Sequence, residues 1–339
     1  MNLQEKILGG FRGAAVGDAM GAPTEMMTTQ QIKDHFGGLV RDFKTPPENT
    51  FARGRQPGQI TDDFSLAYYL ALAIIDNGGK INDEVAKEGL LKWADNDEYF
   101  IPFAGPTTRA SILELQGINT EKNTDEIENH NAKATNGSAM KIFPVGLLNP
   151  GDLDKTVEDT VTVVLPTHGN HLSISGACAV ACAVSKAMEK DSNIYSIVQA
   201  GLYGARLGEK KGMEKARIVA GPSVERRIEM AVELGLKAKN MEDAMRDISD
   251  CIGSSIHISE AVPAAFGLFV AAQGDTMESI VAGVNVGNDT DTVATMAGAM
   301  AGTLNGYKSL PESFLEEINK KNNMCLDKLS RDFLGVISK

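Results

Sequence analysis

Gly287-Asn288-Asp289-Thr290-Asp291-Thr292 runs directly into Val293-Ala294-Thr295-Met296-Ala297-Gly298-Ala299-Met300-Ala301-Gly302-Thr303-Leu304. A polar loop opened by glycine gives way to a run of mostly small and apolar residues. Gly298, Ala301-Gly302 and Gly306 recur at helical intervals, so one side of the predicted helix is thin enough for another backbone to lie against it. A matching ladder, Gly9, Gly13, Gly17 and Gly21, stands at the other end of the chain. Together they predict a compact bundle with a tightly packed centre.

Working outward, helical spacing dominates. Leu3, Ile7, Leu8 and Phe11 fit one helix, and Leu66, Tyr69, Leu70, Ala73 and Ile74 fit a second. Ile112 to Leu115, Ile228 to Leu236 and Phe266 to Val270 behave alike. Thr160-Val161-Thr162-Val163-Val164-Leu165 is the exception: its β-branched residues fit a strand as well as a helix. Gly37 to Gln59 and the acidic stretch Asn119 to Thr135 read as loops leaving one domain, 1-339, rather than as boundaries.

Hydrophobic residues make up 42% and charged ones 23%, enough for a full-sized core without staples. The net charge of -12 argues against a nucleic-acid surface or an anionic membrane, which call for dense Lys/Arg patches. The four cysteines form no C-x-x-C pair, which fits a reducing compartment. The N-terminus lacks an apolar signal core and the longest apolar run is too short to span a bilayer, so the expected location is the cytoplasm. The sequence sets no oligomeric state.

Two clusters carry the chemistry. Thr61-Asp62-Asp63 precedes an apolar helical run; alone, it is more often a capped helix start than a site. Asp289-Thr290-Asp291-Thr292 repeats the arrangement, with two carboxylates placed to reach one cation from a turn. Such hard oxygen donors suit Mg2+ or Ca2+ rather than zinc. Asp289-x-Asp291-x-Val293 also fits a phosphatase nucleophile motif, but no buried strand precedes it and little chain follows it. Gly105-Pro106-Thr107-Thr108-Arg109 is either an anion cradle at a helix start or a plain turn. His168 and His171 lack the partners a zinc site requires, leaving a substrate-facing or merely hydrogen-bonded histidine.

Taken in order, six segments resemble the ADP-ribosylglycohydrolase family. They are Gly17-Asp18-Ala19-Met20-Gly21 with Glu25, Thr61-Asp62-Asp63, Gly105 to Thr108, Asn136-Gly137 with Met140, Thr167-His168, and Gly287 with Asp289 to Thr292. The resemblance implies an all-α fold, a compact orthogonal helical bundle with a central dimetal site, and therefore a helical Thr160 to Leu165. It implies two Mg2+ ions, with Mn2+ as a substitute, held by Thr61, Asp62, Asp63, Asp289, Asp291 and Thr292. It places Gly105, Pro106, Thr107, Thr108, Asn136, Gly137 and His168 against an ADP-ribosyl or other ribosyl substrate. The implied activity is hydrolysis of an N- or O-ribosyl bond through an oxocarbenium-like state. The water is activated by the cation or by a carboxylate, Asp63 or Glu25, and Glu25 also stands as a gate.

Two positions depart from the family pattern: Asn288 where a second glycine is usual, and Lys141 where arginine usually follows the methionine. Neither is an implied ligand. Both bear on what lies beyond the ribose, so hydrolysis of a small N-riboside, nucleoside or nucleotide, is the alternative activity. A non-catalytic relative is a third reading, opposed by the intact set of acids.

Overall fold

The computed structural model describes residues 1–118 and 129–337, so most of the expected Asn119–Thr135 loop lies outside the described residues. Within them the chain forms α-helices and short 3-10 turns, with two isolated β-bridges and no strand. The all-α expectation therefore holds.

The centre is the pairing of helix Leu3–Gly21 with helix Thr290–Asn305. A Cβ on Gly9 would overlap the Gly302 carbonyl, one on Gly13 the Gly298 carbonyl, and one on Gly17 the Ala294 carbonyl. The order shows that the helices run antiparallel and that backbone meets backbone, as the two ladders predict. A second ladder joins Ile194–Lys215 to His171–Ala187, where a Cβ on Gly204 would overlap the Cys178 carbonyl.

Around this centre aromatic rings fill the space. Phe11 meets Phe143 and Phe333 edge-on, with centroids 5.5 and 5.6 Å away. All three are buried, each stabilising the fold by about 2 kcal/mol. Buried Arg12 donates to the carbonyls of Tyr307, Leu310 and Pro311, fastening the C-terminal segment to the first helix. Lys6, also buried, donates to Ala187 O at 2.6 Å and Leu304 O at 3.5 Å, near the C-terminal ends of two central helices.

Thr160 to Leu165 lies inside helix Leu153–His168, as the resemblance implied. Val157, Thr160, Val161, Val164, Thr167 and His168 bury one broad face, and that burial outweighs the weak helix propensity of the β-branched residues. Gly37 ends helix Thr29–Phe36 in a left-handed conformation, and the Gly37–Gln59 excursion follows as expected.

Candidate functional site

Helix Asp62–Asp76 begins at Thr61, yet the Thr61 side chain caps nothing. Asp18, from the last turn of the first helix, does the capping. Its carboxylate accepts Phe64 N–H at 2.9 Å and Thr61 N–H at 3.0 Å, and Oδ1 accepts the Thr61 hydroxyl at 2.7 Å. Because Thr61 spends its proton on Asp18, its oxygen keeps lone pairs for another partner. Asp18 was not among the expected site residues. Its signal was an acid set among small and apolar residues, Gly13 to Gly21, in the second half of that helix.

The second cluster opens helix Thr290–Asn305, with Asp289 at the cap position. Gly287 and Asn288 both have positive φ, 93° and 66°. Asparagine is the side chain best suited to stand there in place of glycine. This loop clasps the chain after Glu25: Met26 N–H donates to Asn288 O at 2.7 Å, and Asn288 N–H to Met27 O at 2.9 Å. Thr290 turns away from the acids, donating to Gly21 O at 3.0 Å and accepting from Thr24 Oγ1 at 2.9 Å. Gly21 is required here, since a Cβ would sit 2.5 Å from Asp291 Cα.

These contacts bring the two clusters together. Glu25, Asp289 and Asp291 each offer an oxygen within 4.8 Å of the others, a group able to hold a metal ion. Glu25, expected as a gate or base, thus stands among the candidate ligands. Asp62 and Asp63 add their charge to the same field. Burial is the first cause that pushes Glu25 up to about 9, with Asp289, Asp62 and Asp18 adding to it. Burial and then Asp18 push Asp62 up to about 8. Asp63 and Asp291 are likewise held well above the carboxylate range, by burial and by their acidic neighbours. Asp63 Oδ1 is buried without a hydrogen-bond partner. So crowded a set of buried (Asp63, Asp291) and half-buried (Glu25, Asp62, Asp289) acids must bind protons or a cation, and its hard oxygens suit a divalent ion. Thr292 N–H donates to Asp291 Oδ1 at 3.0 Å, and its side chain lies against Asp63 and Asp289, where it favours their ionised forms.

Asn136 completes this wall, donating from Nδ2 to Asp289 Oδ2 at 2.6 Å. Its own N–H donates to Ile256 O at 2.9 Å, which pins the turn. Gly137 lies against His168, where a Cβ would come 3.0 Å from Nε2. His168 is buried, and both ring nitrogens meet threonines: Nδ1 with Thr167 Oγ1 at 2.8 Å, Nε2 with Thr135 Oγ1 at 3.0 Å. Burial first, and Lys141 second, depress it to about 3, so the ring is neutral. In this structure His168 supports the Asn136–Gly137 turn from beneath.

Gly105 caps helix Pro106–Leu115 without a side-chain bond, leaving open backbone N–H groups. Arg109 does not serve that cradle. It donates to Phe100 O at 2.9 Å and Ile101 O at 3.0 Å, and stacks on the Phe100 ring. The helix packs on Leu153–His168, whose far end carries His168. A cavity of about 1050 Å3, lined by Met26, Met27, Lys33, Glu242, Arg246 and Asn288, opens at the Met26–Asn288 clasp, and none of the clustered acids lines it. No helix among the described residues is long and apolar enough to cross a membrane.

The model of the ADP-ribosylglycohydrolase family matches residues 1–339. An uncharacterized protein of Escherichia coli (strain K12), YegU, is 32% identical, covering 94% of this chain and 93% of its own. The ADP-ribosyl-[dinitrogen reductase] glycohydrolase of Rhodospirillum rubrum is 26% identical, covering 94% and 92%. Among solved structures, an ADP-ribosylglycohydrolase-related protein complex superposes with a TM-score of 0.64 at 20% identity, covering 99% and 98% of the two chains, and so shares the fold.

Proposed function

Because this chain belongs to the ADP-ribosylglycohydrolase family and is a glycosidase, we propose that it is a cation-dependent hydrolase of ADP-ribosyl bonds, on a modified protein side chain or a small ADP-ribosyl compound. The observation that carries this reading is the convergence of Glu25, Asp289 and Asp291 within one ligand sphere, inside the field of Asp62 and Asp63.

On this reading Thr61, Asp62, Asp63, Asp289, Asp291 and Thr292, joined by Glu25, hold Mg2+, two ions in the full site, with Mn2+ as a substitute. The bound cation supplies Lewis acidity toward the vicinal hydroxyls of the ribose. Asp63 or Glu25 takes the proton of the attacking water; burial and neighbouring acids raise the proton affinity of both. Asn136 holds Asp289, and Gly137 presents backbone to the ligand over the neutral His168. The open N–H groups after Gly105 receive the diphosphate. The cavity beside Met26 and Asn288 has room for the group beyond the scissile bond.

The test is release of ADP-ribose from ADP-ribosyl-arginine and ADP-ribosyl-serine peptides, with nucleosides alongside. Turnover is expected with Mg2+ and abolished by chelation. Turnover indifferent to chelation would overturn the cation. Turnover of nucleosides alone would replace the substrate with a small N-riboside, the reading that Lys141 in place of the usual arginine favours.

A further inference from the structure

Ile60 and Thr61 share one peptide unit, and charged side chains hold that unit at both poles. Its N–H donates to the Asp18 carboxylate at 3.0 Å. Its carbonyl oxygen, on Ile60, accepts from Arg55 Nη2 at 2.6 Å. Hydrogen bonds with one ionised partner are short and stronger than neutral ones. The peptide unit before it is held as well, where Ile60 N–H donates to Asn322 Oδ1 at 3.0 Å. The chain therefore reaches Thr61-Asp62-Asp63 with its direction fixed.

Arg55 is itself fixed by helix Asp97–Phe103, which leads into the Gly105 turn. Nη1 pairs with Glu98 at 2.7 Å. The guanidinium lies over two rings of the same helix, 5.4 Å from the Tyr99 centroid and 5.2 Å from that of Phe103. Nε is buried with no hydrogen-bond partner among the described residues. The fork thus gives up one donor and spends others on Glu98 and on the carbonyl before Thr61. A planar fork joins both partners in one geometry, where an ammonium on its flexible stem would not.

We propose that Arg55 is a positioning residue of the site, whose grip on the Ile60–Thr61 peptide aims the Thr61, Asp62 and Asp63 oxygens at the cation. This inference rests on the cation reading above. Charge and position predict opposite signs at this residue. A positive charge beside the ligands repels a divalent ion, so by charge alone its loss would tighten binding. By position its loss frees the ligands and weakens binding.

The experiment is Mn2+ titration calorimetry on the full chain, for the wild type, Arg55→Met and Arg55→Lys. Arg55→Met keeps a long side chain against the two rings and removes the fork; it should weaken Mn2+ binding at least about tenfold. Arg55→Lys keeps the charge and loses the fork, and should weaken it at least about threefold. Adding Asp18→Asn to Arg55→Met should cost less than about threefold more, because both substitutions act on one peptide. Unchanged or tighter binding in either folded variant would overturn the proposal, and so would a full further loss in the double variant. If Arg55→Met does not fold, Arg55→Lys carries the test; failure of both to fold would show Arg55 to be merely structural. A wild type that binds no Mn2+ would defeat the cation reading itself, and this inference with it.

Discussion

The Thr61 hydroxyl donates to Asp18 Oδ1 at 2.7 Å across 43 residues of chain. The start of the Asp62–Asp76 helix is therefore set by an acid on another helix, and the directions of Asp62 and Asp63 depend on it. Asp18→Asn puts an amide donor where Thr61 and Phe64 already donate. Divalent-cation affinity is expected to fall about tenfold with far-ultraviolet circular dichroism unchanged. Equal affinity would mean that the helix start holds its own shape.

Asp291→Ala separates function from fold. Burial, Glu25 and Asp63 all oppose ionisation of Asp291, so removing its carboxyl ends that conflict in the ion-free protein. Turnover should drop at least about 100-fold, while the melting temperature without metal stays level or rises. Retained turnover would remove Asp291 from the ligand set.

Gly13→Ala tests the helix crossing. The new methyl would overlap the Gly298 carbonyl, and neither backbone has room to move aside. Urea denaturation should show a loss of about 3 kcal/mol. A loss below about 0.5 kcal/mol would show that the helices can slide apart.

Without divalent ions, stability should fall as pH rises from 6.5 to 8. Burial holds Asp62 protonated to about 8 and Glu25 to about 9, whereas in the unfolded chain both ionise near pH 4. In that window the folded state binds more protons, so rising pH favours unfolding. His168, folded at about 3, opposes this slope at the lower end of the window and Lys141, lowered to about 8, opposes it at the upper end, and the two acids outweigh them. The melting temperature should drop by about 5 °C, and saturating Mg2+ should flatten the slope. A metal-free melting temperature that rises across this range would contradict the buried cluster.

Periodicity made the helices legible, and the ladders Gly9 to Gly21 and Gly298 to Gly306 announced the central crossing. Gly201, Gly204, Gly208 and Gly212 form a comparable ladder that went unread, because charged and long residues lie between them. Thr160 to Leu165 was ambiguous in its own residues; helix packing decided it. Asp18 was hidden for a different reason. Its role lies in contacts with Thr61 and Phe64, which no local pattern encodes. Arg109 looked like an anion ligand beside its threonines, yet its guanidinium is occupied by the carbonyls of Phe100 and Ile101.

The glycine crossing has a last consequence, for ion choice. Asp18 and Asp291 belong to the same end of two helices whose glycine crossing sets main chain against main chain. Where side chains fill a contact, rotamer changes let it breathe; where peptide meets peptide, the gap is a fixed gauge. Acids mounted on such a gauge cannot spread to follow a larger ion. On the proposed cation reading, discrimination by ionic radius would then come from the scaffold, starting where Gly21 lies against Asp291.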